Sequence, residues 1–310
     1  MSIGLFVGAW LGSIAAPIVL IISLLFRWWS TVLVLVAAFS TSQLLPLKTS
    51  QTVKAWFCHG FRVYWRSHSV CYECELAPNT SSPTVLAVHP HGCYCMGFAV
   101  LYSQALLKHV HFCFAHVLYS SSLFRAFTTI IGRPASADRS FFVALMQRRQ
   151  TIALLPGGFE EAALCCMATD RVYLRERKGW VKYALQHGYS LTPVFTFGER
   201  ETYATAEALA PLRLRIARFG LAGQLLSMLL VFPRGCWWCP ILPRGRRLHT
   251  VVGAPLPPPV APAADASSAI WGELVDEFHS HYIAALVALY DRHKIAYYGM
   301  EAADAMLEIW

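Results

Sequence analysis

Hydrophobic positions along the chain follow three patterns in turn. Residues 3–26 run from Ile3 to Phe26 without a charge. As a helix they extend about 36 Å, enough to cross a hydrocarbon core. Arg27-Trp28-Trp29-Ser30 interrupts, with indoles suited to a membrane interface. A second apolar stretch over 31–47, about 26 Å if helical, contains Gln43 and Pro46. The pattern predicts an N-terminal transmembrane helix or hairpin. Beyond it, apolar runs of strand length at 84–88, 151–155, 191–197 and 249–252 alternate with segments of helical spacing. Those helical segments are 98–108, 139–149 behind an Asp138 cap, and 179–187 ending at Gly188. Alternation of this kind predicts an α/β fold, a largely parallel sheet flanked by helices. Residues 219–232 form a 14-residue apolar stretch, suited equally to a membrane interface or a buried core helix. Arg213, Arg215 and Arg218 precede it, which suits an anionic membrane surface. Pro255 and Pro257 to Pro259 then make a stiff linker to an amphipathic helix around Trp271, Leu274, Phe278, Tyr282, Ala285 and Leu289.

Composition sharpens this division. The chain is 56% hydrophobic and 14% charged, with mean hydropathy +0.44. Residues 1–47 hold a single charge, Arg27, yet the remainder is still only about 16% charged against roughly a quarter in soluble domains. Two units follow, a membrane segment at 1–47 and a membrane-associated domain at 48–310. Lys48, Lys54, Arg62 and Arg66 come directly after the apolar segment and place the domain on the cytoplasmic side. Residues 2–5 carry no base, so no cleaved signal is expected. Asn79-Thr80-Ser81 should then stay unglycosylated. The net charge of +8 suggests an anionic partner. Of nucleic acid, anionic lipid headgroups and a phosphorylated cofactor, nucleic acid is the weakest candidate and is not expected, since no run of Lys/Arg with interleaved aromatics on a polar background occurs.

Two sequence positions carry candidate chemistry. His89-Pro90-His91-Gly92 follows the first body strand, and Pro156-Gly157-Gly158-Phe159-Glu160-Glu161 follows the second. Sites in α/β sheets form at strand carboxyl ends. A histidine there can serve as general base, a carboxylate can hold its other ring nitrogen, and glycines let backbone N–H groups approach an oxyanion. Either segment also reads as an ordinary structural turn. No nucleophile elbow, phosphate-binding loop or zinc-protease helix competes with them. Cys71-x-x-Cys74 and Cys236-x-x-Cys239 have the spacing of metal knuckles but lie far apart. The ten cysteines read as reduced thiols, and no metal is required.

The tetrapeptide His89 to Gly92, the Gly157-Gly158-x-x-Glu161-Ala162 turn and Arg177-Lys178-Gly179-Trp180-Val181-Lys182 resemble the type-2 diacylglycerol acyltransferases and their monoacylglycerol acyltransferase relatives. The likeness continues through Pro193-Val194-Phe195, Phe197-Gly198-Glu199, Arg234-Gly235 and Val251-Val252-Gly253-x-Pro255 to His293-Lys294. It implies a glycerolipid-acyltransferase-like mixed sheet with helices around it. It also implies a membrane enzyme of the endoplasmic reticulum and lipid droplets, with its domain facing the cytosol. Such an enzyme moves an acyl chain from acyl-CoA, a co-substrate rather than a cofactor, to the hydroxyl of diacylglycerol. Val88, Cys93-Tyr94-Cys95 and Trp180 depart from the family pattern and bear on acceptor choice. Wider glycerolipid acyltransferases place an aspartate five residues after the histidine; here Tyr94 and Met96 occupy those places, and Glu161 is the substitute acid.

On this reading His91 is the base, Glu161 orients its ring, and His89 supports the loop, with the choice between the histidines left open. Backbone N–H groups near Gly92 or Gly157-Gly158 receive the oxyanion. Arg177, Lys178 and Lys182 bind coenzyme A phosphates, or else form a solvated helix start, and Arg234 and Arg244 are further candidates. The competing readings are transfer to monoacylglycerol or a long-chain alcohol, a non-catalytic lipid-binding protein, and a zinc-stapled structural protein. The oligomeric state is not legible.

Overall fold

In the computed structural model the residues described are 1–310 without 45–47, 75–82, 105–106 and 263–266. The chain begins with helices α1 (Ser2–Leu25), α2 (Trp29–Leu44) and α3 (Gln51–Tyr64), then strand β1 (Ser67–Tyr72). Next come β2 (Thr84–His89), α4 (Met96–Tyr102), β3 (His111–Phe114), α5 (His116–Ser120), α6 (Ser122–Ile131) and β4 (Pro134–Ser136). They are followed by α7 (Arg139–Gln147), β5 (Ile152–Leu154), α8 (Gly158–Ala163), β6 (Arg171–Val172), α9 (Gly179–Gln186) and β7 (Ser190–Phe197). The last third holds α10 (Ala210–Ala217), α11 (Gly220–Val231), β8 (Arg247–Val252), α12 (Ser268–Tyr298) and β9 (Glu308–Ile309).

Seven strands make one mixed sheet in the order β1-β8-β7-β2-β5-β3-β4. Every adjacent pair is parallel except β7 and β8. The fold is thus α/β, a mixed sheet flanked by helices. Strand β2 lies in register with β5 (Val85 opposite Ile152) and with β7 (Thr84 opposite Ser190). Their carboxyl ends therefore meet at one edge of the sheet, where α/β folds build their sites. All eight residues of β7 are buried, as expected of a strand covered on both faces.

Helix α12 explains much of that cover. Ser267 caps it by accepting from the Ile270 N–H, and Gly299 ends it at a positive φ of 92°. Val275, Phe278, Tyr282, Leu286 and Leu289 recur at helical spacing and are buried against the sheet. The helix extends to Tyr298, beyond the apolar stripe that announces it. Conversely, the helix expected over 98–108 stops at Tyr102. Leu107 and Val110 instead turn into the core ahead of β3.

The N-terminal segment is split in its surroundings. Helix α1 is long and apolar enough to cross a membrane, with mean hydropathy 2.3. Its first half presents Ile3, Phe6, Val7 and Trp10 to the same core that receives α3 and α6. The Phe6 ring lies 6.4 Å from both Phe61 and Phe124. Its second half and α2 expose Ile21, Leu25, Leu33, Val34 and Phe39. Pro46, Leu47 and the Asn79-Thr80-Ser81 acceptor lie outside the described residues.

Candidate active site

Three neighbouring strand ends deliver the polar residues. Strand β2 ends at His89 and passes His91; β5 leads through Gly157 into α8, which carries Glu161; β7 leads through Gly198 to Glu199. All four side chains are buried.

The two histidines differ in access. His89 is 0% exposed, and its Nε2 lies 3.0 Å from the Tyr282 hydroxyl of α12. His91, 7% exposed, lines a cavity of about 360 Å³. Trp10, Leu118, Phe142, Leu154 and Trp180 make most of the remaining wall apolar. Trp10 from α1 meets the His91 ring edge-on at 6.5 Å, so the apolar N-terminal helix is part of this cavity. His91 Nδ1 lies 2.8 Å from the Gly92 carbonyl oxygen. A carbonyl only accepts, so Nδ1 carries the proton and Nε2 keeps its lone pair. Burial pushes the imidazole pKa below the ordinary histidine value, against the opposing pull of the Gly92 carbonyl and Glu161. The result is a neutral ring with one basic nitrogen.

Glu161 does not orient the His91 ring as expected. Its Oε1 accepts the His91 backbone N–H, and its Oε2 accepts the Tyr173 N–H at 2.8 Å. Oε2 also lies 3.8 Å from His89 Nδ1, beyond hydrogen-bond range. From α8 the acid therefore holds the backbone of the loop rather than the imidazole. Gly157 makes this possible, since a Cβ there would collide with the Glu161 carboxylate.

Glu199 performs the matching task on the other side of the loop. It accepts from the backbone N–H groups of Met96 (3.0 Å) and Gly97 (2.6 Å). Burial raises its pKa to about 8 in spite of these two donors. Gly92, at φ 62°, leaves room for it, as any Cβ would strike the Glu199 carboxylate. Sequence reasoning missed this role. The available signal was an acid two residues past the most continuous apolar strand.

The other predicted contacts fare unevenly. Gly158 lines the cavity, but its N–H is directed at the Leu155 carbonyl at 3.3 Å. Arg177 pairs with Glu160, and Lys178 pairs with Asp276 at 2.8 Å. Neither cation lines the cavity. The cation that does is Arg139, at the start of α7, with its guanidinium 5.5 Å from the centre of the Tyr183 ring. It forms no ion pair among the described residues. Among those residues no three metal-binding side chains come together.

This arrangement of strand-end histidines can be set beside known proteins. The diacylglycerol acyltransferase family model matches residues 19–309, nearly the whole chain. The chain belongs to the diacylglycerol acyltransferase family. Among its relatives, human diacylglycerol O-acyltransferase 2-like protein 6 is 28% identical over 232 residues, which are 69% of this chain and 66% of that protein. Mouse 2-acylglycerol O-acyltransferase 1 is 28% identical over 229 residues, again 69% and 66% of the two chains. Human acyl-CoA wax alcohol acyltransferase 1 is 35% identical over 151 residues, or 47% and 44%. The aligned part is thus just under two thirds of the first two relatives. Among solved structures, the 1-acyl-sn-glycerophosphate acyltransferase PlsC of Thermotoga maritima is similar at TM-score 0.38 and 12% identity, over 86% of this chain and 96% of that one. Within the family, this member holds its histidine loop between two buried acids.

Proposed function

We propose that the protein is a membrane-bound O-acyltransferase that moves an acyl chain from acyl-CoA to the hydroxyl of diacylglycerol, forming triacylglycerol. The observation that carries this reading is the neutral His91 ring on the wall of an apolar cavity, with Nδ1 committed to the Gly92 carbonyl. A thioester is already activated, so the reaction needs a base and an oxyanion site and no metal.

His91 Nε2 takes the proton of the acceptor hydroxyl as that oxygen attacks the thioester carbonyl carbon. The tetrahedral intermediate collapses, the C–S bond breaks, and the new ester remains. The coenzyme A thiolate leaves and recovers the proton from the imidazolium. Glu161 is a positioning residue that fixes the loop through the His91 N–H, and its charge nearby favours the imidazolium as it forms. His89 supports the loop through Tyr282. Arg139 is the cation placed to meet an anionic part of the donor, in place of Arg177 and Lys178.

Relatives named for monoacylglycerol and wax alcohol acceptors support a second reading, transfer to 2-acylglycerol or a long-chain alcohol. We place the enzyme at the endoplasmic reticulum membrane or lipid droplets, its domain in the cytosol. The support is the apolar α1–α2 segment followed by Lys48, Lys54, Arg62 and Arg66. Membranes carrying the protein, incubated with oleoyl-CoA and each acceptor in turn, test the reading. Triacylglycerol is the expected product; no product from any acceptor sinks it.

A further inference from the structure

A second cleft, of about 650 Å³ and without His91 in its lining, lies between Arg66, just ahead of β1, and the loop 232–246 that joins α11 to β8. Arg66, Arg234, Arg244 and Arg246 line it, and no carboxylate does. Arg244 is held from within, its Nε 3.3 Å from the Gly235 carbonyl and its guanidinium 3.7 Å from Met167 Sδ. Arg66, Arg234 and Arg246 are exposed, and none forms an ion pair among the described residues. Gathering like charges around one cleft is unfavourable unless an anion joins them.

Aromatic residues stand on the same rim. Trp237 is 93% exposed and Trp238 60%. Phe232, beneath the Arg234 guanidinium at 5.6 Å, and Ile241 are exposed beside them. The apolar surface continues onto α11, which buries Gly223, Ser227 and Val231 while exposing Leu226 and Leu229. A site for a single soluble phosphate ester would cover its aromatic rings around the ligand. Outward indoles between unpaired guanidiniums instead match the headgroup zone of a bilayer, where indoles settle and guanidiniums pair with phosphates.

We propose that this cleft docks the domain onto anionic phospholipid headgroups, turning it toward the bilayer. The proposal rests on the reading that the acceptor is drawn from a membrane, but its test reads indole quenching, with acyl transfer measured separately so that the two readings fail apart. The full chain is reconstituted in phosphatidylcholine vesicles with or without phosphatidylserine, each containing lipid brominated near the headgroup. The emission of the two indoles is isolated by subtracting that of a Trp237→Phe/Trp238→Phe variant. Quenching of that difference is expected in serine-lipid vesicles and its loss in neutral vesicles or high salt. In Arg66→Gln/Arg246→Gln the ratio of docked to free loop should fall about 25-fold, near fivefold per charge. Unquenched indoles in every vesicle overturn the proposal. So does quenching relieved by added coenzyme A, which assigns the cleft to the donor's phosphates. Quenching with no acyl transfer overturns the proposed reaction and leaves the docking intact.

Discussion

Glu161 holds His91 by its backbone, accepting the His91 N–H through one carboxylate oxygen and the Tyr173 N–H through the other. Both oxygens face donors, so a carboxamide cannot replace the acid. Glu161→Gln turns an NH₂ group against an N–H, losing a buried hydrogen bond worth about 1–3 kcal/mol. Initial rates and thermal melts should show lower kcat and lower Tm together. An unchanged melt with lost activity would mean direct contact with the reacting atoms instead.

The two histidines should separate cleanly. His91→Ala removes the base and is expected to cost about 10²–10⁴ in rate with the fold retained. Tyr282→Phe removes the partner of His89 Nε2 where both side chains are fully buried and should lower Tm. Its remaining activity should keep the wild-type pH profile. Full activity in His91→Ala would move the base elsewhere.

The pH dependence follows from burial. Because burial holds the His91 pKa below its ordinary value of 6.5, the ring is half-protonated only at a pH below 6.5. The acid limb of the kcat/KM profile should therefore break below pH 6.5. A break above pH 6.5 that vanishes in His91→Ala contradicts the assignment.

Glu199 makes a second, independent pH prediction, this time for stability. Its folded pKa of about 8 lies above the ordinary 4.5, so between these values the unfolded chain has lost a proton that the native state keeps. Stability is therefore fullest below about pH 4.5 for this group and declines as pH rises through 8, by at most about 1.4 kcal/mol per pH unit. Denaturant melts across this window should show the decline, and Glu199→Gln should flatten it while losing one of the two N–H bonds.

Cation placement is tested by KM. Arg139→Ala should raise the KM for acyl-CoA about tenfold, the worth of one charge-assisted contact, and leave the acceptor KM alone. Arg177→Ala and Lys178→Ala should act chiefly through the ion pairs to Glu160 and Asp276. A larger effect on the donor KM from Lys178 than from Arg139 would restore the phosphate role expected of it.

The sheet was legible because its inner strands announce themselves. Strands β2, β5 and β7 are short apolar runs stopped by His-Pro or Gly, and their helices carry caps such as Asp138 and stops such as Gly188. Strands β1, β3 and β4 lie toward the sheet's edges, and their short mixed sequences lack such a signature. The site was half legible. Its histidines and Glu161 sit at strand ends, but whether an acid meets a ring or a backbone depends on how α8 is set beneath the loop. Arg139 and Glu199 are brought to the site only by tertiary packing. Composition also hid the double life of α1, apolar throughout and yet packed by its first half into the hydrophobic core of the domain.

The most direct test measures acyl transfer from labelled oleoyl-CoA to diacylglycerol, 2-acylglycerol and a long-chain alcohol, using membranes with wild-type protein or His91→Ala. The wild type should form triacylglycerol and His91→Ala should not. Product formation by His91→Ala at the wild-type rate, or none by the wild type with any acceptor, contradicts the account.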